Sequence, residues 1–308
     1  MISLEPEIVG LRQSGAIDET TAARLVAAER REVVSVYGEL RFLTWGGVML
    51  IVSGVGVLVS KHLDKIGPVA IAAAIGIASL ACYAIFIWRR RSGRQHLADD
   101  YVLLLAALLA SADVGYIESQ FHLLGSSWQR HFLLLAVLHG VTAYLFNSRL
   151  VLSLSITALA AYIGIERKVE AVLFDSGVDF AERAFICAAT LMVWRAVQRK
   201  REFRPVFDHA AANLVFWGAI ALMDSSSTRA LGCAIALVLA AFCAWHGFRR
   251  GEEAFVIYAF VYGAIAIDVQ ICTWLHEEGP ILIYLIVSTV AVIVGLFVTH
   301  ARMRKAPA

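Results

Sequence analysis

From Phe42 onward the chain alternates long apolar runs with short polar breaks. Crossing the hydrocarbon of a bilayer takes about 20 residues of helix. A window of that length lays down ten spans: Phe42–Ser60, Ile66–Trp88, Tyr101–Gln120, His131–Phe146, Leu150–Ile165, Ala181–Val197, Phe207–Met223, Ala230–Phe248, Ala254–Leu275 and Ile281–His300. The fifth and sixth are short. The runs are continuous rather than alternating, which argues against a membrane β-barrel, and helices then remain as the way to satisfy every backbone group in lipid. The expected fold is all-α: a polytopic integral membrane bundle of about ten transmembrane helices, residues 41–308. A short cytoplasmic helical hairpin, residues 1–40, precedes it.

The hairpin follows from local signals. Ser14-Gly15-Ala16 breaks a first short helix that carries Leu11. Asp18 is an N-cap, Glu19 puts an acid in the first turn, and Ile17 stands where an apolar residue staples back onto the next turn. Ala22, Leu25 and Val26 continue at helical spacing through Val33, Val34 and Tyr37. One helix is therefore expected from Asp18 to Ser60, with Gly38 its hinge. Leu11, Ile17 and Leu25 are the candidate contact residues for a protein partner.

Composition agrees with a membrane protein: of 308 residues 59% are apolar and 17% charged, and long apolar runs mark that class. The net charge of +2 is too small to suggest nucleic acid as a partner. The first forty residues lack a basic segment followed by an apolar core, so the first span is expected to direct insertion. The five cysteines lie in apolar segments at no metal-ligand spacing, and neither a metal nor another cofactor is expected.

Charge sets the orientation. With the N-terminus inside, 20 of the 27 Lys and Arg residues fall in cytoplasmic segments and 7 outside. The positive-inside rule then places both termini in the cytoplasm and requires an even number of spans. Trp45, Trp88, Trp194, Trp245 and Trp274 stand near span ends, where an indole prefers the headgroup region. Trp217 is mid-span. Pro68 and Pro280 fall at span starts, where a missing N–H costs little. Ala72, Gly76 and Ser79 form a small-residue stripe suited to close helix contact.

The pattern L-R-x-x-G-x-I-x-x-x-x-A-x-x-L from Leu11 to Leu25, the polar helix ending at Arg41 and the Gly-rich first span carry a resemblance. So does GYIESQFHLLG, Gly115 to Gly125, with a span and the Asn147-Ser148 turn after it. These features resemble DUF2157, a family of predicted bacterial membrane proteins of unknown function, along about the first half of the chain. The resemblance implies a multi-pass protein of the bacterial inner membrane and carries over no catalytic residue.

Ionisable groups in hydrocarbon cost several kcal/mol unless paired, so each is a functional candidate. At about 1.5 Å per residue, Asp113 lies about 18 Å from the inner edge, His139 about 12 Å from the outer edge and Asp268 about 21 Å from the inner edge. Tyr116 and Gln270 accompany them. One reading gathers Asp113, His139 and Asp268 into a single outward-opening polar site that binds a small polar ligand or relays a proton. The other has each residue hydrogen-bonding a neighbouring helix separately. Nearer the cytoplasm, His209 and Asn213 share a helix face, with Asp208 and His246 at similar depth.

No nucleophile elbow appears: the positions flanking Ser53 are Ile51 and Val55, where glycines are required. No phosphate-binding glycine pattern appears either. A non-enzymatic sensing, regulatory or scaffolding role is therefore favoured, with the bilayer as solvent and the hairpin as contact. The alternative is a small-solute or proton-coupled transporter using Asp113, His139 and Asp268. An enzyme acting on a lipid-linked substrate ranks last.

Overall fold

The computed structural model describes residues 10–29, 37–62, 67–92, 99–123, 129–165, 177–275 and 278–305. Among them are eleven α-helices and one 3-10 turn. The first described turn ends at Gly15, whose φ of 72° is the left-handed geometry that glycine adopts without penalty. Ala16 N–H then reaches Leu11 O at 3.0 Å and Gly15 N–H reaches Arg12 O at 3.1 Å, a Schellman stop. Helix α1, Glu19–Glu29, starts immediately afterwards. Its cap is Asp18, which accepts from Thr21 N–H at 3.1 Å and from the Thr20 hydroxyl. These donors, Thr20 foremost, hold the Asp18 carboxyl below its ordinary value. The expected continuity from Asp18 to Ser60 crosses residues 30–36, which lie outside the described residues.

Ten helices follow: α2 Tyr37–His62, α3 Pro68–Arg91, α4 Asp99–Phe121, α5 Gln129–Phe146, α6 Arg149–Ile163, α7 Gly177–Val197, α8 Arg204–Asp224, α9 Arg229–Arg250, α10 Glu253–Trp274 and α11 Glu278–Lys305. Each expected span falls on one of them. Six are long and apolar enough to cross a membrane: α3, α4, α8 with its preceding 3-10 turn, α9, α10 and α11. This is fewer than the ten expected from sequence. In α2 the stretch Phe42–Gly54 is apolar but short, as is α6. Helix α5 carries Gln129, Arg130, His131 and His139, and α7 carries Asp179, Glu182, Arg183 and Arg195, which lowers the apolarity of both.

Consecutive helices pair: α3 with α4, α5 with α6, α7 with α8 and α9 with α10, while α8 also packs on α9 and α11 packs chiefly on α10. The α5–α6 turn shows why neighbours fold back. Asn147 adopts φ 61°, Ser148 N–H bonds Ala143 O at 3.1 Å, and Ser148 Oγ accepts from Val151 N–H at 3.4 Å to open α6. One residue closes a helix and the next caps another.

Polar stitches fasten the pairs. Ser79 Oγ of α3 donates to Ala106 O of α4 at 2.9 Å, and Ser155 Oγ of α6 donates to Ala136 O of α5 at 2.6 Å. Cys233 of α9 reaches Ala266 O of α10 at 3.6 Å. The Ala72, Gly76, Ser79 stripe faces α4 as its small side chains predicted: Ala72 and Ser79 are buried and Gly76 meets Asp113. Lipid gives apolar faces little preference among partners, so close approach and single hydrogen bonds decide which helices meet. One buried cluster joins α3 to α8 through Phe86, Leu103, Leu152, Leu191, Phe203 and Phe207. A second joins α8, α9 and α10 through Phe216, Ala236, Cys243 and Phe255. Trp194, expected at the interface, is half-buried and donates to Tyr144 OH at 3.1 Å.

Candidate functional site

Helix α4 carries the first polar group. Ser111 and Asp113 are two residues apart, about 200° around a helix of 3.6 residues per turn, so they face different neighbours. Ser111 Oγ meets His139 Nε2 of α5 at 2.7 Å and donates to its own helix at Ala107 O, 3.1 Å away. A hydroxyl has one proton; with that proton on Ala107 O, it accepts from His139 Nε2–H. His139 is 2% exposed, and its Nδ1 has no hydrogen-bond partner among the described residues. Asp113 turns to α3, where Oδ2 lies 3.0 Å from the position a Cβ on Gly76 would take. Its Oδ1 and the Tyr116 hydroxyl are buried, with no hydrogen-bond partner among the described residues.

Asp268 makes a different set of contacts. Its Oδ1 accepts from Tyr284 OH and Ser288 Oγ of α11, each at 2.7 Å. Beside it lies a cavity of about 520 Å³ between α9, α10 and α11, with neither Asp113 nor His139 in its lining. The three residues that sequence depth placed together thus contact three different helices: α3, α4 and α11. Gln270 is half-buried one turn from Thr273, whose hydroxyl donates to its carbonyl at 2.7 Å.

The opposite end of the bundle gathers the charges. Lys200 donates to Tyr144 O at 2.6 Å and to Asn147 Oδ1 at 3.0 Å, and lies 5.3 Å from the Phe203 ring centre. Arg90 donates to Phe146 O at 2.9 Å. Two cations therefore cap the last carbonyls of α5, where the helix dipole is negative. Arg89 pairs with Asp99 at 3.1 Å and Arg195 with Asp208. His209 stacks on Phe255 with ring centres 4.8 Å apart. Its carbonyl accepts from Asn213, whose Oδ1 in turn accepts from Tyr262 OH at 2.8 Å. His246 lies 3.8 Å from Glu252, and His300 of α11 lies 3.2 Å from Glu253 of α10.

On the N-terminal segment Leu11 is exposed and Ile17 half-buried, while the Leu25 side chain lies outside the described residues. Arg12 and Glu19 approach to 3.6 Å across the break. Sequence reasoning missed Lys200 and Arg90 as caps, and Ser111, Tyr284 and Ser288 as partners. Tyr284 and Ser288 left a signal: two hydroxyls at i and i+4, one turn apart on the same face of α11.

Long apolar helices, interhelical polar stitches and charges gathered at helix ends define an all-α, multi-pass membrane protein. Residues 10–152 match the DUF2157 family model, described as a predicted membrane protein. No curated protein and no solved structure matches the chain. The family stretch includes Ser111, Asp113, His139 and the Asn147-Ser148 turn and ends in the first turn of α6. The Asp268 cavity lies beyond it.

Proposed function

We propose that the protein is a non-enzymatic sensing, regulatory or scaffolding component of the bacterial inner membrane, with the N-terminal segment as its cytoplasmic contact. The observation that carries this reading is the dispersal of the intramembrane polar residues. His139 meets Ser111 of α4, Asp113 lies against Gly76 of α3, and Asp268 accepts from Tyr284 and Ser288 of α11, so each has its contact on a different helix. A transporter built on Asp113, His139 and Asp268 requires them along a common route. In this reading the chain crosses the bilayer ten times with both termini inside. The support is the bias of 20 among 27 basic residues. The ion pairs Arg89–Asp99 and Arg195–Asp208 lie at that same end.

The test is complementation of a deletion strain under whichever envelope stress exposes its phenotype. Full-length protein and Asp113→Asn are expected to restore growth, and a chain lacking residues 1–38 but still inserted is expected to fail. Full rescue by the truncated chain would remove the N-terminal contact from the function. Loss of rescue in both Asp113→Asn and Asp268→Asn, with normal insertion, would favour transport.

A further inference from the structure

The cavity at Asp268 joins features that the role above does not use. Asp268 stands about 22 Å along α10 from Glu253, at the level of hydrocarbon. Tyr284 and Ser288 both donate to Oδ1, and none of the described residues donates to Oδ2. No Lys, Arg or His lines the cavity. The carboxylate therefore faces membrane-level space with no protein cation beside it, the situation that hydrocarbon penalises most. The lining includes the small residues Ala240, Ala244, Gly263 and Ala264, which form its floor, and Phe260, about two turns of α10 from Asp268. Helix α11 forms one wall, and none of its membrane-spanning window is buried, so the cavity sits at the edge of the bundle and opens toward the lipid. Its volume of about 520 Å³ falls within the range of sites for small organic molecules.

We propose that this cavity binds a lipophilic organic cation that enters from the bilayer. The positive charge sits at Asp268 beside the Tyr284 ring, and the apolar body lies over the Ala and Gly floor toward Phe260. A divalent metal ion fits less well, because such ions require about six oxygen ligands and the side chains here supply one carboxylate and two hydroxyls. An anion is repelled by the carboxylate. A neutral ligand leaves Oδ2 without a counter-charge. The cavity's chemistry stands whether or not the N-terminal segment meets a partner.

The experiment uses full-length protein in lipid nanodiscs titrated calorimetrically with tetraphenylphosphonium, with empty nanodiscs subtracted. Saturable binding to the wild type is expected, with no binding of tetraphenylborate, which has the same shape and the opposite charge. Asp268→Asn is expected to weaken binding on the order of a hundredfold, as loss of one partner of a desolvated charge pair does. Tyr284→Leu is expected to weaken it about tenfold through the lost cation–π contact. Ala264→Leu keeps the carboxylate and fills the floor, and is also expected to abolish binding. Each variant is checked by size exclusion, so that Ala264→Leu decides the matter if Asp268→Asn does not fold. Absence of saturable binding to the wild type overturns the proposal. So does equal binding of tetraphenylborate, or unchanged binding to folded Asp268→Asn or Ala264→Leu. None of these results depends on the complementation outcome.

Discussion

Two glycine-to-alanine changes should move stability in opposite directions, because the same added methyl meets backbone in one place and open space in the other. A Cβ on Gly232, in the first turn of α9, would stand 2.6 Å from Ala219 O of α8 and 3.0 Å from Leu222 and Met223. Relaxing 2.6 Å to the ~3.3 Å of a C–H···O contact requires a shift of about 0.7 Å. The carbonyl belongs to a helix and cannot rotate away as a side chain would. Overpacking of this kind costs about 1–3 kcal/mol, and a backbone obstacle puts it toward the upper end. Helix propensity returns about 1 kcal/mol, leaving Gly232→Ala destabilised by about 1–2 kcal/mol. Gly46 in α2 has nothing within 4 Å of its Cβ position, so Gly46→Ala keeps only the propensity gain. Thermal unfolding of detergent-solubilised protein, read by fluorescence-detected size exclusion, should show apparent Tm falling by about 3 °C for Gly232→Ala and rising by about 2 °C for Gly46→Ala. A rise for Gly232→Ala with a fall for Gly46→Ala would refute the close α8–α9 approach.

Lys200→Met removes the bonds to Tyr144 O and Asn147 Oδ1 and should cost about 2–3 kcal/mol in the same unfolding assay; an unchanged midpoint would mean that the α5 end needs no cation. Asn147→Val places a β-branched residue at φ 61° and should cost at least about 1–2 kcal/mol, whereas Asn147→Gly should lose less, and equal losses would show that the turn relaxes. Ser79→Ala and Ser155→Ala break stitches in separate helix pairs and should each cost about 0.6 kcal/mol, adding in the double variant; a strongly non-additive double would mean that the two pairs are coupled. The Asp18 carboxyl is depressed in the folded chain, so its contribution to α1 is full above the unfolded value near 3.9 and is lost as pH falls through the folded value. Hydrogen exchange at Thr21 should therefore accelerate at acid pH in the wild type, and the same acid response in Asp18→Asn would assign it to another group.

The apolar windows located every long helix to within a few residues because a membrane span is a one-dimensional feature: length and apolarity along the chain suffice. The Asp18 cap, the Gly15 stop and the Ala72, Gly76, Ser79 stripe were equally legible, since each is read from local sequence. Depth estimated along the chain in the same way suggested a common site for Asp113, His139 and Asp268. Angle around the helix axis was not legible. Ser111 and Asp113 lie nearly a turn-half apart, so one meets α5 and the other α3. Asp268 faces α11 because Tyr284 and Ser288 are there to donate. In water a hydrophobic stripe announces which face is buried; in lipid every face is apolar and the stripe carries little information. Nor did the sequence show that Trp194, in the last turn of α7, would donate its indole N–H to Tyr144 OH of α5.

The bundle is held differently at its two levels, and this bears on what a ligand at Asp268 does. At the charged end, Arg89, Arg90, Arg195 and Lys200 tie α3, α4, α5, α7 and α8 through ion pairs and carbonyl caps. At the level of Asp268, α11 is fastened to α10 by two hydroxyl bonds to a single carboxylate oxygen. Interhelical bonds in lipid average about 0.6 kcal/mol each. A cation at the proposed site pairs with Oδ2 and leaves both bonds to Oδ1 in place, and those two bonds together contribute about 1.2 kcal/mol to the attachment of α11. That is close to a tenfold change in equilibrium. Between α7 and α8 the charged end adds the Arg195–Asp208 ion pair. Helix α11 is therefore the wall of the proposed cavity whose hydrogen bonds to α10 rest on Asp268 itself. Its other end carries His300, 3.2 Å from Glu253 of α10, a second polar contact between the same two helices.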